Sequence, residues 1–476
     1  MNSLQNNQAQ YLKMTQTPVA RLVSSLAVPT VISMLVTAVY NTADTFFVAM
    51  LNDTAATGAV SVVFSLMALM QATSFAIGMG SGSWISRLLG QQENEEANEV
   101  GSSGLVMALA FGSLLFLYGL FCDTTPLMKL IGATDTIAPY AKRYATFILC
   151  GAPLMMGSFV LNNLLRAEGK AKFSAIGIAF GGILNVFLDP LFILPWGLDL
   201  KTAGAALATA ISQAVSFFIL LVPFLRGKTA VKLHPKYLSR RVRRYVTIFK
   251  NGVPSLARQG LSSISSILLN VGAAAAAGAF ADQAIAAMGI VTKVTMMVFS
   301  VVIGIGQGYM PVLGYNYGAR RFDRAREAMN FMAKACTLVI TAFSVLCFIA
   351  APRVIGIFGS AKNDPDVMRF ALFAFRAQCV SLPLVPMGVT ANMTFQSTGQ
   401  ALRATFLSSC RQGIFLVPLL LVLPYTVGIT GVLIAQPIAD ALTFLVCVPF
   451  LRKFARELKA AEEKENIDVP QENTRL

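Results

Sequence analysis

Twelve mostly apolar stretches, each set off by a short polar segment, make up the pattern of this chain. They run at approximately 22–50, 56–84, 100–121, 138–165, 173–197, 202–225, 246–275, 283–313, 328–350, 367–394, 404–424 and 429–451. Crossing a bilayer takes about 20 consecutive apolar residues in a helix. A helix is the form required because hydrocarbon offers no partner for a free backbone N–H or C=O. Every stretch is long enough, and the longest predict tilt or extension beyond the bilayer. The expected fold is therefore an all-α membrane protein with twelve transmembrane helices.

The pattern then repeats. IGMGSG at 77–82 returns as IGIGQG at 303–308. Val28-Pro29 returns as Val253-Pro254, Pro153 as Pro383, Asn162 as Asn392, Gly169 as Gly399, and Pro223-Phe-Leu-Arg226 as Pro449-Phe-Leu-Arg452. The offset stays between 225 and 230, an ordered series that chance does not produce. Six spans in each half give both halves the same orientation, so two six-helix bundles are expected, related by an axis along the membrane normal. The organisation read from this is a cytoplasmic N-terminal tail (1–20), a first lobe (21–226), a basic cytoplasmic linker (227–245), a second lobe (246–452) and a cytoplasmic C-terminal tail (453–476).

Charge changes the picture in one respect. The chain is 55% hydrophobic and 13% charged, with a net charge of +15. That excess would suit nucleic acid if it lined one face of a soluble fold, but it lies in the loops between spans. Of 38 Lys and Arg, 27 fall on the side that holds both termini, seven on the other side, and four (Arg258, Lys293, Arg376 and Arg411) within spans. Basic loops stay in the cytoplasm. Both termini are thus expected there, with the chain a multi-pass protein of the inner (cytoplasmic) membrane that binds no nucleic acid. The seven cysteines are scattered without a CxxC, and the only histidine, His234, lies in a polar loop. Neither a disulfide framework nor a zinc site is indicated, no nucleophile–histidine pair lies in the spans, and no cofactor is expected.

Chemistry is sought where charge enters hydrocarbon. Three acids do so: Asp44, Asp189 and Asp440. An ionisable group within a span is expensive and marks function by default; a structural hydrogen bond between helices is the plainer alternative, strongest for Asp440. Asp44 and Asp189 lie at similar depths, about 12 to 15 Å below the outer ends of their helices at 1.5 Å per residue. Tyr40 and Asp44 are four apart on the first span, Asn185 and Asp189 four apart on the fifth, so each pair shares a helix face. Thr209 reaches the same level from the sixth span. Two carboxylates, an amide and hydroxyls at one depth suit a proton or a bare Na⁺, the latter held by Asp44, Asn185, Asp189 and Thr209. The second half lacks this cluster, with Asn270 or its neighbour in place of Asp44. Its polar groups, Asp440, Lys293, Arg376, Arg258 and Asn270, are candidates for a cavity of their own. Pro29 removes a rung of the first span and is a candidate bend. The Gly-x-Gly-x-Gly runs follow no strand and suit close helix packing better than phosphate binding.

Taken together, these features resemble the multidrug and toxic compound extrusion (MATE) transporters, nearest to their DinF-like branch. The resemblance covers residues 20 to 452 and is carried by Pro29 with Tyr40-Asn-Thr-Ala-Asp44, Gly80–Ala97, Arg166-Ala-Glu-Gly169, Asn185-Val-Phe-Leu-Asp189-Pro190 and Gly204–Thr209. It implies a V-shaped pair of bundles that alternates between inward and outward openings. It also implies export of small amphipathic, often cationic organic compounds in exchange for H⁺ or Na⁺. The coupling site would lie at Asp44, Asn185, Asp189 and Thr209, with Tyr40 and Pro29 nearby. A monomer working in the lipid bilayer on small-molecule substrates is the expected unit. The rival is a lipid-linked oligosaccharide flippase of the same wider superfamily, for which Arg258, Lys293, Arg376 and Arg411 would converge on a central cationic cavity.

The charge sorting predicts the labelling of a cysteine-depleted chain in intact cells. A cysteine at position 199 should react with an impermeant maleimide and one at position 234 should not; the opposite result would reverse the orientation.

Overall fold

Every regular element among the described residues is helical, as hydrocarbon requires of an open chain. The computed structural model describes residues 2–50, 54–194, 197–358 and 364–468; the side chain of Asp44 lies outside the described residues. Helix α1 (Asn2–Gln16) precedes the spans. The first lobe comprises α2 (Val19–Ala49), α3 (Thr54–Gly90), α4 (Asn94–Phe121), the short α5 (Thr125–Leu130), α6 (Ala138–Ala167), α7 (Ala171–Ile193) and α8 (Lys201–Leu225). The second comprises α9 (Val242–Ala277), α10 (Ala281–Gly318), α11 (Phe322–Gly356), α12 (Pro365–Ser397), α13 (Ala401–Thr426) and α14 (Ile429–Asp468). A 3-10 turn at Leu382–Leu384 interrupts α12, and a π-helical turn at Cys410–Phe415 interrupts α13. Twelve of these helices are long and apolar enough to cross a membrane.

The repeat seen in the sequence recurs in the bonding. Asn162 on α6 donates from Nδ2 to the carbonyl of Ser174 at 3.3 Å, tying α6 to α7. Asn392 on α12 donates to the carbonyl of Ala404 at 3.0 Å, tying α12 to α13 across the same twelve-residue separation. Both connections turn on a glycine with positive φ, +77° at Gly169 and +81° at Gly399, a conformation other residues adopt only with strain.

Lipid tails give apolar helices no reason to associate, so small residues that admit close van der Waals contact decide where spans meet. In the first glycine run, Gly78 and Gly82 face Asn163 of α6, while Gly80 faces Ile248 of α9 so closely that a Cβ would strike its carbonyl oxygen. In the second run, Gly304 and Gly308 lie against Val31 and Ala27 of α2, and Gly306 faces Met393 within its own lobe. Thr30 Oγ donates to the Gly304 carbonyl at 2.6 Å, one residue past Pro29. These contacts all lie in the halves of α2, α3, α9 and α10 nearest the termini.

Farther from the termini the same helix faces are open. Three turns along α10 from Gly304, Lys293 shares its direction, and it is exposed. Five turns along α9 from Gly252, Asn270 is likewise exposed. On α3, Leu69 lies three turns from Gly80 and is 63% exposed. The lobes are joined at the end that carries the termini and diverge at the other, leaving a cleft between them.

The joined end is closed by two segments that the apolar pattern does not announce. Helix α1 buries Met14 and bridges the lobes: Gln10 Nε2 donates to the Glu168 carbonyl at 2.6 Å, and Asn316 Nδ2 donates to the Met14 carbonyl at 3.2 Å. The linker is strapped to the first lobe. The backbone N–H groups of Ala230 and Val231 donate to the two Glu168 carboxylate oxygens at 2.8 and 3.2 Å, and that of Lys232 donates to Asn98 Oδ1 at 2.6 Å. Glu168 is fully buried between spans, and burial raises its pKa to about 7 against the opposing pull of Lys170 and the two N–H donors.

A carboxylate whose folded-state pKa is raised favours the folded state most below its unfolded value and gives up that contribution as pH rises through the folded value. Thermal unfolding of the purified protein should therefore show a Tm that declines from pH 4.5 to about 7, relative to the Glu168→Gln variant. A difference between the two proteins that stays constant across that window would mean that Glu168 does not titrate in the strap.

Candidate functional site

Two glycines on α7 set the geometry of the first lobe. A Cβ at Gly181 would strike Ser216 of α8, and one at Gly182 would press on the Tyr40 ring of α2. Their absence lets α2 and α8 close on α7 from both sides. One and two turns farther along α7, Asn185 and Asp189 are brought between these helices with 2% and 0% exposure. Asn185 Nδ2 donates to Asp189 Oδ1 at 3.1 Å and lies 3.4 Å from Thr209 Oγ1 of α8. Its carbonyl oxygen, Asn185 Oδ1, is buried with no hydrogen-bond partner among the described residues. The hydroxyl of Ser212, three residues past Thr209, is in the same condition.

Asn185, Thr209 and Ser212 border a small cavity whose lining also includes Thr37, Tyr40, Ser158 and Gln213. Tyr40, Asn185, Asp189 and Thr209 are thus assembled in one place. Asp44 is on α2 one turn beyond Tyr40, with its side chain outside the described residues. Ser158 and Gln213, which bond to each other at 3.2 Å, were not singled out by the sequence reading. The available signal was the spacing of Gln213, four residues past Thr209 on the same helix.

Such a cluster is chemically specific. It holds a carboxylate, an amide oxygen and hydroxyls, all hard oxygen donors, and no thiol or imidazole. Among the described residues no group of three His, Cys, Asp or Glu side chains gathers as a transition-metal site would require. A proton on the carboxylate or a small hard cation among the oxygens fits the set.

The second lobe has a different centre. Asp440 of α14 is buried, and its Oδ1 accepts from Arg411 Nε at 2.7 Å and from Gln436 Nε2 at 3.0 Å. Its Oδ2 accepts from Gln378 Nε2 at 2.8 Å and from Ser381 Oγ at 3.1 Å. Four donors saturate the carboxylate. Arg411 projects from the π-helical turn of α13, and its guanidinium lies 4.7 Å from the Phe299 ring centroid. The turn is held by Ser265 of α9, whose hydroxyl donates to the Gln412 carbonyl. A cavity is bordered by Arg258, Phe299, Arg411 and Asp440.

The remaining candidates for that cavity are elsewhere. Lys293 and Asn270 are exposed on the cleft-facing sides of α10 and α9, because each lies a whole number of turns from a glycine that contacts the first lobe. Arg376 is exposed on α12, on one stripe with Phe373 and Val380, and its guanidinium lies 5.5 Å from the Phe348 ring. A long cationic side chain among apolar neighbours reaches toward polar surroundings along such a stripe rather than into the bundle.

Comparison with known proteins bears on the whole chain. The MatE family model matches residues 29–191 and 255–422, one segment in each lobe. The multidrug export protein MepA of Staphylococcus saprophyticus is 27% identical over 422 residues, which cover 89% of this chain and 91% of that protein. A crystal structure of a MATE in complex with MaL6 superposes with a TM-score of 0.87 at 26% identity, covering 94% of this chain and 99% of that one. An outward-facing multidrug resistance MATE family transporter of the MOP superfamily superposes with a TM-score of 0.86 at 26% identity, covering 94% and 98%.

Proposed function

The chain belongs to the MATE family of membrane transporters, and from that premise we propose that it is a secondary active multidrug efflux antiporter. It exports small amphipathic or cationic organic compounds by alternating access, in exchange for H⁺ or Na⁺. It is a transporter and not an enzyme. The observation that carries the coupling is the buried Asn185–Asp189–Thr209 cluster beside the cavity of the first lobe.

In this reading both termini are cytoplasmic and the cleft opens outward. Asp44 supplies the second carboxylate. With both acids ionised, their repulsion in a low-dielectric setting favours a wider arrangement of α2 against α7; one proton, or one Na⁺ shared with Asn185 Oδ1 and Thr209, removes it. Pro29 sits at the level where α2 contacts α10, so a change of bend there would move the outer half of α2 while the glycine contact holds. The ion shifts this equilibrium by its differential affinity for the two arrangements. Each lobe comes from the same chain, so a monomer suffices.

The flippase reading needed Arg258, Lys293, Arg376 and Arg411 on one cavity. Arg258 and Arg411 border it, Lys293 faces the cleft and Arg376 points away from the bundle, which favours the exporter.

Proteoliposomes given a pH gradient or a Na⁺ gradient separately test this. One of the two should drive ethidium transport, and Asp189→Asn should abolish the driven component while the folded variant still binds ethidium. Gradient-driven transport at the wild-type rate from a folded Asp189→Asn protein would refute the assignment.

A further inference from the structure

The cavity of the second lobe has a charge pattern that the coupling chemistry leaves unused. Three ionisable side chains border it: Arg258, Arg411 and Asp440. Asp440 is saturated by four donors, and one of them is Arg411, so those two charges neutralise each other. Arg258 of α9 is the third. Among the described residues it has no hydrogen-bonded or ion-paired side-chain partner, and it is only partly exposed. A guanidinium within a span either pairs or marks a path for charge. Its planar fork of donors matches a carboxylate or phosphate in two-point fashion.

The surroundings suit an amphipathic molecule. Phe299, Leu384, Val389 and Leu407 provide an apolar wall, and Ser262 and Asn392 add neutral donors. The π-helical turn at Cys410–Phe415 is the irregularity that turns Arg411 onto Phe299, and such turns inside transmembrane helices tend to mark function. The net charge of the three groups is +1, which repels cations and attracts a single anionic head.

We propose that this cavity is a second binding site, which takes the anionic head of an amphipathic organic acid on Arg258. The apolar body of the ligand lies against Phe299 and Leu407, and the Asp440–Arg411 pair shapes the wall beside it. The site is separate in space and in charge from the one in the first lobe. The inference rests on the transporter reading only for its purpose, since binding here requires no gradient. Failure of coupling at Asp189 and failure of binding at Arg258 are therefore distinguishable.

A protection assay in nanodiscs tests it. Ser262→Cys is introduced into the full chain lacking its native cysteines, and its reaction with a small methanethiosulfonate is timed. Saturating 1-pyrenebutyrate should slow the reaction about 10-fold, as charge-assisted pairing at Arg258 implies, whereas 1-pyrenebutylamine should leave it nearly unchanged. Adding Arg258→Gln should abolish the protection, and Arg258→Lys should retain part of it. Nanodiscs containing phosphatidylglycerol, without added acid, identify the source of the anion. Arg258-dependent protection there assigns the site to a lipid headgroup, and its absence assigns the site to a free acid. Equal protection by the acid and the amine, or protection by the acid that survives Arg258→Gln, would overturn the proposal. The acid–amine comparison on native Arg258 stands even if the glutamine variant does not fold.

Discussion

Where α3 meets α9 and where α10 meets α2, glycines at 80, 252, 304 and 308 leave no room for a Cβ, and backbone touches backbone across the two lobes. In a bilayer this contact is decisive, because apolar side chains gain nothing by leaving lipid for one another. All four glycines lie in the same half of the membrane-spanning helices. The lobes are therefore fastened at that end, and helix α1 and the strapped linker cover it with hydrogen bonds. The open cleft at the other end follows: the same faces that carry glycine near the termini carry Asn270, Lys293 and Leu69 farther out, where these side chains are exposed.

Within this frame the two lobes have kept one architecture and diverged in electrostatics. Asn162 and Asn392 make equivalent bonds, and Gly169 and Gly399 make equivalent turns. The centres differ. The first lobe buries Asp189 with an amide and a hydroxyl, an oxygen-rich set that leaves the Asn185 carbonyl unused. The second buries an aspartate fully engaged by an arginine and three neutral donors, beside a further arginine. A carboxylate held by an arginine and three neutral donors loses its charged partner only at high cost.

Much of this was legible in the chain because its signals are local. Span lengths, the glycine runs, and the i,i+4 pairing of Asn185 with Asp189 are all readable from spacing, and the structure brings Tyr40 and Thr209 to them as equal depth implies. What spacing cannot reveal is which way a lone charge turns. Arg376 and Arg411 look alike in sequence, each within a span. The π-helical turn at 410–415 rotates Arg411 onto Asp440, while Arg376 follows the exposed stripe of α12. The burial of Glu168 is not legible from spacing, since it depends on the linker returning from about sixty residues away. Helix α1 was read as a polar tail because only a few of its residues, Met14 among them, carry an apolar signal.

Ion occupancy in the first lobe is expected to move that lobe's own helices. Spin labels at positions 46 and 187, both on exposed sites of α2 and α7, report this directly. The expected distance distribution shifts with pH or with Na⁺ and no longer shifts in the Asp44→Asn/Asp189→Asn double variant. An unchanged distribution in the wild type, or a shift that persists in the double variant, would contradict it.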